Sequence, residues 1–173
     1  YMTLIQECIK NKKNNINPIW IMRQAGRYLP EFREIRAKNP DFIKLCLNKN
    51  LSSEITLQPI KRFNFDAAII FSDILMLPYG LGQHVKFEKG LGPKLGDLDL
   101  DKIENTNKNE FIKRLNPVYE SISNISTNPI LKNKDLIGFV GAPWTILVYM
   151  LNKASPKKNL TKKIFEDKLF IKK

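Results

Sequence analysis

Ala67-Ala68-Ile69-Ile70-Phe71 is an unbroken apolar run, and Ser72-Asp73 ends it. A strand exposed on one face alternates apolar and polar residues; one covered on both faces does not. Phe65–Phe71 therefore predicts a strand buried on both sides, the kind found in parallel sheets with helices packed over them. Leu136–Val140 predicts a second such strand, and Gly141-Ala142-Pro143 turns it into a helix bearing Trp144, Leu147, Val148 and Tyr149. Strands alternating with helices define an α/β chain.

The segments between fit that class. Thr3 is placed to cap a short helix with Leu4, Ile5, Cys8 and Ile9 on one side. A polar linker, 11–17, precedes the apolar run Pro18–Met22, read as a buried strand or extended segment. Pro30 suits a first helical turn, and Asn39-Pro40 stops the helix it opens. A second short helix is predicted over Asp41–Leu47, with Phe42, Ile43, Leu45 and Cys46 inward. Ser52 or Ser53 is expected to cap a third helix reaching Phe63, kinked at Pro59. His84–Glu88 and Pro93–Leu95 around Lys89-Gly90-Leu91-Gly92 predict a hairpin. From Asn109 to Ser126, Phe111, Ile112, Leu115, Val118, Tyr119, Ile122 and Ile125 recur at helical spacing, with Pro117 a possible bend. The lysine-rich end, 153–173, is weakly patterned, with a short helix possible over Ile164–Ile171.

Met22-Arg23-Gln24-Ala25-Gly26-Arg27-Tyr28-Leu29-Pro30-Glu31 is the chemically distinctive stretch. Arginine stays charged and presents a planar fork of donors that fits carboxylate or phosphate. Gly26 offers unusual backbone angles and close approach. Arg23 and Arg27 behind a rigid apolar segment read as an anion-gripping loop. The plainer reading makes them a solvated face paired with Glu31 and Glu34.

Composition removes several other classes. The chain has 173 residues, enough for one domain with a real core. Hydrophobic content of 43% and charged content of 27% are ordinary for a water-soluble chain. No apolar run approaches a membrane span. Cys8 and Cys46 are too few and too far apart for a disulfide framework or a zinc site, which fits a reducing cytoplasm. The net charge of +12 invites a nucleic-acid partner, but the lysines are scattered through Asn- and Lys-rich linkers without a recognition motif. His84, the only histidine, lies in an alternating strand without a partner motif.

Met22–Glu31 resembles the N-terminal signature of the uroporphyrinogen decarboxylase family. Glu54-Ile55-Thr56-Leu57-Gln58-Pro59, Ile70-Phe71-Ser72-Asp73-Ile74-Leu75, Gly90-Leu91-Gly92-Pro93 and Gly138–Thr145 resemble further stretches of it, in order, from about Pro18 to about Met150. The resemblance implies a (β/α)₈ barrel, which takes about 250 residues, so the chain is expected to be one partial barrel domain, the N-terminal half. It implies removal of carbon dioxide from the four acetate side chains of uroporphyrinogen in haem biosynthesis, in the cytoplasm, by a homodimer, without cofactor or metal and without nucleic-acid or membrane partners.

Residue by residue, the resemblance implies that Arg23 and Arg27 bind substrate carboxylates, with Arg23 also taking part in proton delivery. Gln24, Ala25 and Gly26 form the connecting wall. Arg36 reaches another carboxylate, Phe139 is an apolar wall, and Tyr149 bonds at the substrate edge. Asp73 accepts from pyrrole N–H groups and stabilises the cationic intermediate. From the residues alone, Asp73 is as well a turn or cap, and Tyr149 a core tyrosine. The family's later hydroxyl and histidine lie outside this chain, so a fragment inactive alone is expected, prone to aggregate through unpaired strand edges. Two alternatives stand beside this reading. One is a half-barrel that acts only by association. The other is a cobalamin-linked methyltransferase of the same superfamily, which the Arg23–Arg27 loop disfavours.

Overall fold

The computed structural model describes residues 2–11 and 16–155. The possible helix over Ile164–Ile171 and most of the 11–17 linker lie outside them. Helix α1 (Leu4–Asn11) is followed by α2 (Pro30–Lys38), α3 (Phe42–Cys46) and α4 (Lys49–Phe63). Strand β1 (Ala67–Ile69) leads to α5 (Met76–Gly80) and the hairpin strands β2 (Val85–Glu88) and β3 (Gly92–Leu95). Then come α6 (Leu100–Glu104), α7 (Lys108–Ser126), a 3₁₀ turn at Pro129–Leu131, β4 (Asp135–Ile137) and α8 (Pro143–Asn152).

β1 and β4 pair in parallel, Ala68 opposite Leu136, so the long excursion between them is the crossover that parallel pairing requires. Ala67, Ala68 and Ile70 are buried as the apolar run predicts, though the paired strand is shorter than Phe65–Phe71. β2 and β3 form the predicted antiparallel hairpin, and Gly90 and Gly92 take left-handed angles in its turn. Thr3 caps α1, accepting from the Gln6 amide at 3.3 Å. Its hydroxyl also donates to Asp135, and the Gln6 side chain donates to the same carboxylate at 2.8 Å, docking α1 on the start of β4.

α4 is the central helix. It packs on α2, α3, β1 and α7 and is buried along nearly its whole middle, Ser52 to Ile60 apart from Glu54. Its cap is Asn48, not Ser52 or Ser53: the Asn48 side chain accepts from the Asn50 and Leu51 amides at 3.2 and 3.1 Å. The serines lie inside the helix, freed for other bonds. Pro59 lies within it and is buried.

Three expectations of burial fail for one reason. Pro18–Met22 is irregular, and Ile19 to Met22 are 42–74% exposed. Leu136–Val140 shortens to a half-buried strand, with Gly138, Phe139 and Val140 exposed. On α7, Leu115 and Ile125 are buried but Ile112, Tyr119 and Ile122 are not. Apolar sequence marks surface to be covered, and no described element covers these side chains. On α8, Ile146, Val148 and Met150 face inward while Trp144 is exposed.

Candidate active site

The arginine loop is built from its buried residue outward. Gln24 is 2% exposed. Its amide group donates to the Ala67 carbonyl of β1 at 2.9 Å and accepts from the Ile21 amide at 3.2 Å. Below the loop, Asp66 binds Ile19 twice: its backbone amide donates to the Ile19 carbonyl at 2.9 Å, and its carboxylate accepts the Ile19 amide at 2.7 Å. The Tyr28 hydroxyl donates to the Gln24 carbonyl, and the Tyr28 ring stacks on Phe63 at 6.2 Å. Arg33 donates to the carbonyls of Arg27 and Tyr28 at 2.8 and 3.2 Å. The backbone is thus pinned, while the Arg23 and Arg27 residues are exposed.

Two details differ from expectation. Gln24 turns its amide inward as an anchor, a role that a polar residue in a charged loop does not advertise in sequence. Gly26 does not take a left-handed angle, and a Cβ there would meet only the Tyr28 ring at 3.7 Å. The turn is closed by the Leu29 amide donating to the Gly26 carbonyl, which needs no glycine.

Arg23, Gln24 and Ala25 line a cleft of about 210 Å³ with Met22, Phe139 and the Ile69–Ser72 exit of β1. Phe139 forms part of its wall. Asp73 lies one residue past the lining, half-buried. Its Oδ1 accepts from the Leu75 amide at 2.8 Å and its carbonyl accepts from the Met76 amide at 3.1 Å. That is an Asx-type turn leading into α5. The turn role read from Ser72-Asp73 is therefore present. Burial pushes the Asp73 carboxyl above the ordinary aspartate range, with the Leu75 N–H pulling the other way.

The remaining candidates stand away from the cleft lining. Arg27 is exposed and is not among the residues lining the cleft. Arg36, on α2, donates to the Asn39 carbonyl and lies over the Phe42 ring at 5.4 Å. Tyr149 packs half-buried against the cluster of Ile43, Cys46, Leu75 and Met76. Cys46 is fully buried, and burial, with the Asp73 charge adding, pushes its thiol up, as suits a core residue. Exposed His84 lies at the entry to β2, among the residues lining two separate surface hollows. Among the described residues no group of three or more His, Cys, Asp or Glu is arranged to hold a metal, and no helix is long and apolar enough to cross a membrane.

The family described as uroporphyrinogen decarboxylase (URO-D) matches residues 2–169. The chain belongs to that family. Proteins named uroporphyrinogen decarboxylase from Chelativorans sp. (strain BNC1) and Brucella anthropi are each 50% identical to it over 134 residues, and one from Agrobacterium fabrum is 48% identical. Each of these alignments covers 78% of this chain and 39% of the relative.

Proposed function

We propose that this chain supplies the N-terminal strand–helix units of a (β/α)₈ barrel that decarboxylates uroporphyrinogen. One observation carries the reading: Gln24 ties the cationic loop to β1, and the same strand runs out through the cleft wall to Asp73. A polycarboxylate macrocycle needs cations at its rim and an anion at its centre, where pyrrole N–H groups converge. Arg23 and Arg27 supply the first, with Arg36 a further candidate, and Asp73 the second. Phe139 walls the ring plane, and Tyr149 bonds at the substrate edge.

The chemistry needs no resident cofactor. A proton added to a pyrrole carbon makes the ring an electron sink. The bond from the acetate methylene to its carboxylate then breaks, carbon dioxide leaves, and the bonding pair enters the ring. A second proton converts the resulting methylene to methyl, and the ring carbon then releases the first, which restores the pyrrole with one proton taken up for each carbon dioxide lost. Arg23 participates in proton delivery. Asp73, fixed before the charge develops, stabilises the positive ring; this is electrostatic preorganisation.

Exposed Ile19–Ile21 and Val140, outside the cleft lining, support the partial barrel, since further strand–helix units would cover them. We place the activity in haem biosynthesis in the cytoplasm, in a homodimer. The test has two arms. Uroporphyrinogen is titrated into this chain with the fluorescence of its two tryptophans, Trp20 and Trp144, as readout, and decarboxylation is assayed in a polypeptide of the relatives' length that carries these residues. Binding by the chain and turnover only by the longer polypeptide are expected. Turnover absent from the longer polypeptide, with the fold intact, would overturn the reading.

A further inference from the structure

We propose that Thr56 and Ser52 of α4 are positioning residues for the decarboxylation, gripping both backbone groups of Phe71 and so fixing the turn that carries Asp73. The inference rests on the functional reading of Asp73 given above. The last sheet bond on this side of β1 is the Ile70 amide donating to the Ile137 carbonyl at 3.0 Å. At Phe71 the strand leaves β4, and side chains replace the sheet ladder. The Phe71 amide donates to Thr56 Oγ1 at 2.8 Å, and Ser52 Oγ donates to the Phe71 carbonyl at 2.7 Å. Two residues later comes Asp73.

The two hydroxyls are themselves held. Thr56 Oγ1 donates to the Ser52 carbonyl at 2.7 Å, which leaves it an acceptor toward Phe71. Ser52 Oγ accepts from Ser121 Oγ of α7 at 3.1 Å, and Ser53 Oγ lies 3.2 Å from the same Ser121 Oγ. Ser52, Thr56 and Ser121 are essentially inaccessible to solvent. A buried polar network with its members satisfied specifies one arrangement. An amphipathic helix could bury apolar groups here without any such bonds. Hydroxyls set one turn apart on α4 match the spacing of a peptide N–H and C=O on one residue, and they aim the chain at the point where it leaves the sheet. The neighbouring Phe71 ring meets Phe32 and Phe42 edge-on, so the residue is held on its side chain as well.

The experiment uses Thr56→Val, Thr56→Ser and Ser52→Ala in the longer polypeptide, with Asp73→Asn as the reference for the reading beneath. For each variant kcat, KM and melting temperature are measured, and the Asp73 carboxyl is titrated by ¹³C NMR in the present chain. Valine keeps the shape of threonine and removes only the hydroxyl. Small displacements of a reacting group cost up to on the order of 10²-fold in rate, and a loss approaching that in kcat is expected for Thr56→Val, with KM changed little. Thr56→Ser should restore most of kcat, and the Asp73 titration should move downward in Thr56→Val as the turn opens to water. If Thr56→Val does not fold, Ser52→Ala carries the test, since it removes the donor to the Phe71 carbonyl and the acceptor for Ser121 while leaving the Phe71 amide bonded to Thr56, and a smaller kcat loss in the same direction is expected. Wild-type kcat in a folded hydroxyl-less variant, beside an inactive Asp73→Asn, would overturn the inference alone. An active Asp73→Asn would overturn the reading beneath it and this inference with it.

Discussion

Arg23 and Arg27 stand in water on a loop whose backbone is pinned from below, whereas Asp73 is itself drawn into the protein. Both stretches hang from β1, yet the fold treats their charges oppositely. The loop spends its buried polar group, Gln24, on its own attachment and leaves the guanidinium groups solvated. The turn leaves the β1 exit with the Asp73 carboxyl half-buried and burdened by desolvation. A cation that meets a polyanion can wait in solvent and give up its water on binding. A carboxylate that must steady a transient positive ring is most effective when its surroundings are already dry. In the function proposed above, this contrast would separate capture from chemistry.

Removing both arginines should break the capture side most clearly. Hydrogen bonds to charged groups contribute about 1.5–3 kcal/mol each, so Arg23→Ala with Arg27→Ala should weaken uroporphyrinogen binding by on the order of 10²-fold or more. Melting should stay within about 2 °C of wild type, as for exposed positions. Fluorescence titration and a thermal scan check both. A large drop in melting temperature with binding intact would return the pair to a structural role.

Gln24→Ala should do the reverse. It leaves the Ala67 carbonyl and Ile21 amide without their partner, at a cost of about 1–3 kcal/mol, seen as a melting temperature several degrees lower. Binding should fall only as far as the loop loosens. Unchanged stability would show that the loop stands without its anchor.

A subtler difference lies in pH. The folded Asp73 carboxyl holds its proton more tightly than the unfolded chain does. Its contribution to stability therefore falls as pH rises from the ordinary aspartate range through the raised folded value, and the cost of burying its charge remains above that window. Asp73→Asn keeps an acceptor for the Leu75 amide and removes the charge. Its melting temperature should exceed wild type at pH 7, and the gap should close as pH falls below the ordinary aspartate range. Melting scans across pH read this directly; a gap independent of pH would mean that the carboxyl is not desolvated. Smallest of all should be Gly26→Ala, near wild type in melting and binding, because that turn does not use a left-handed angle.

What the sequence made legible follows a physical line. Patterns that act locally were readable: the double-sided burial of Ala67–Ala68, the Thr3 cap, the hairpin with its two glycines, the inward face of α3. Patterns that depend on a distant partner were not. Ile19–Met22 and Ile112, Tyr119 and Ile122 carry the composition of buried residues, and only the assembled fold shows that no described element lies over them. Structural work by polar residues is not legible for the same reason. Gln24 lines the cleft and also anchors the loop, and Ser52 lies inside α4 instead of capping it; a hydrogen bond from residue 24 to residue 67, or from 52 to 71, leaves no periodic trace. Arg23 and Phe139, far apart in sequence, line one cleft, while Arg36 and Tyr149 are engaged in packing away from it.

The most direct measurement is the decarboxylation rate of Asp73→Asn at saturating uroporphyrinogen, taken in the longer polypeptide beside its melting curve. Loss of a preorganised electrostatic partner costs on the order of 10²–10³ in rate. A fall of that size, in a protein that melts at or above the wild-type temperature, is the predicted result. Near-normal turnover in a well-folded variant would contradict the account and leave Asp73 as the turn residue before α5.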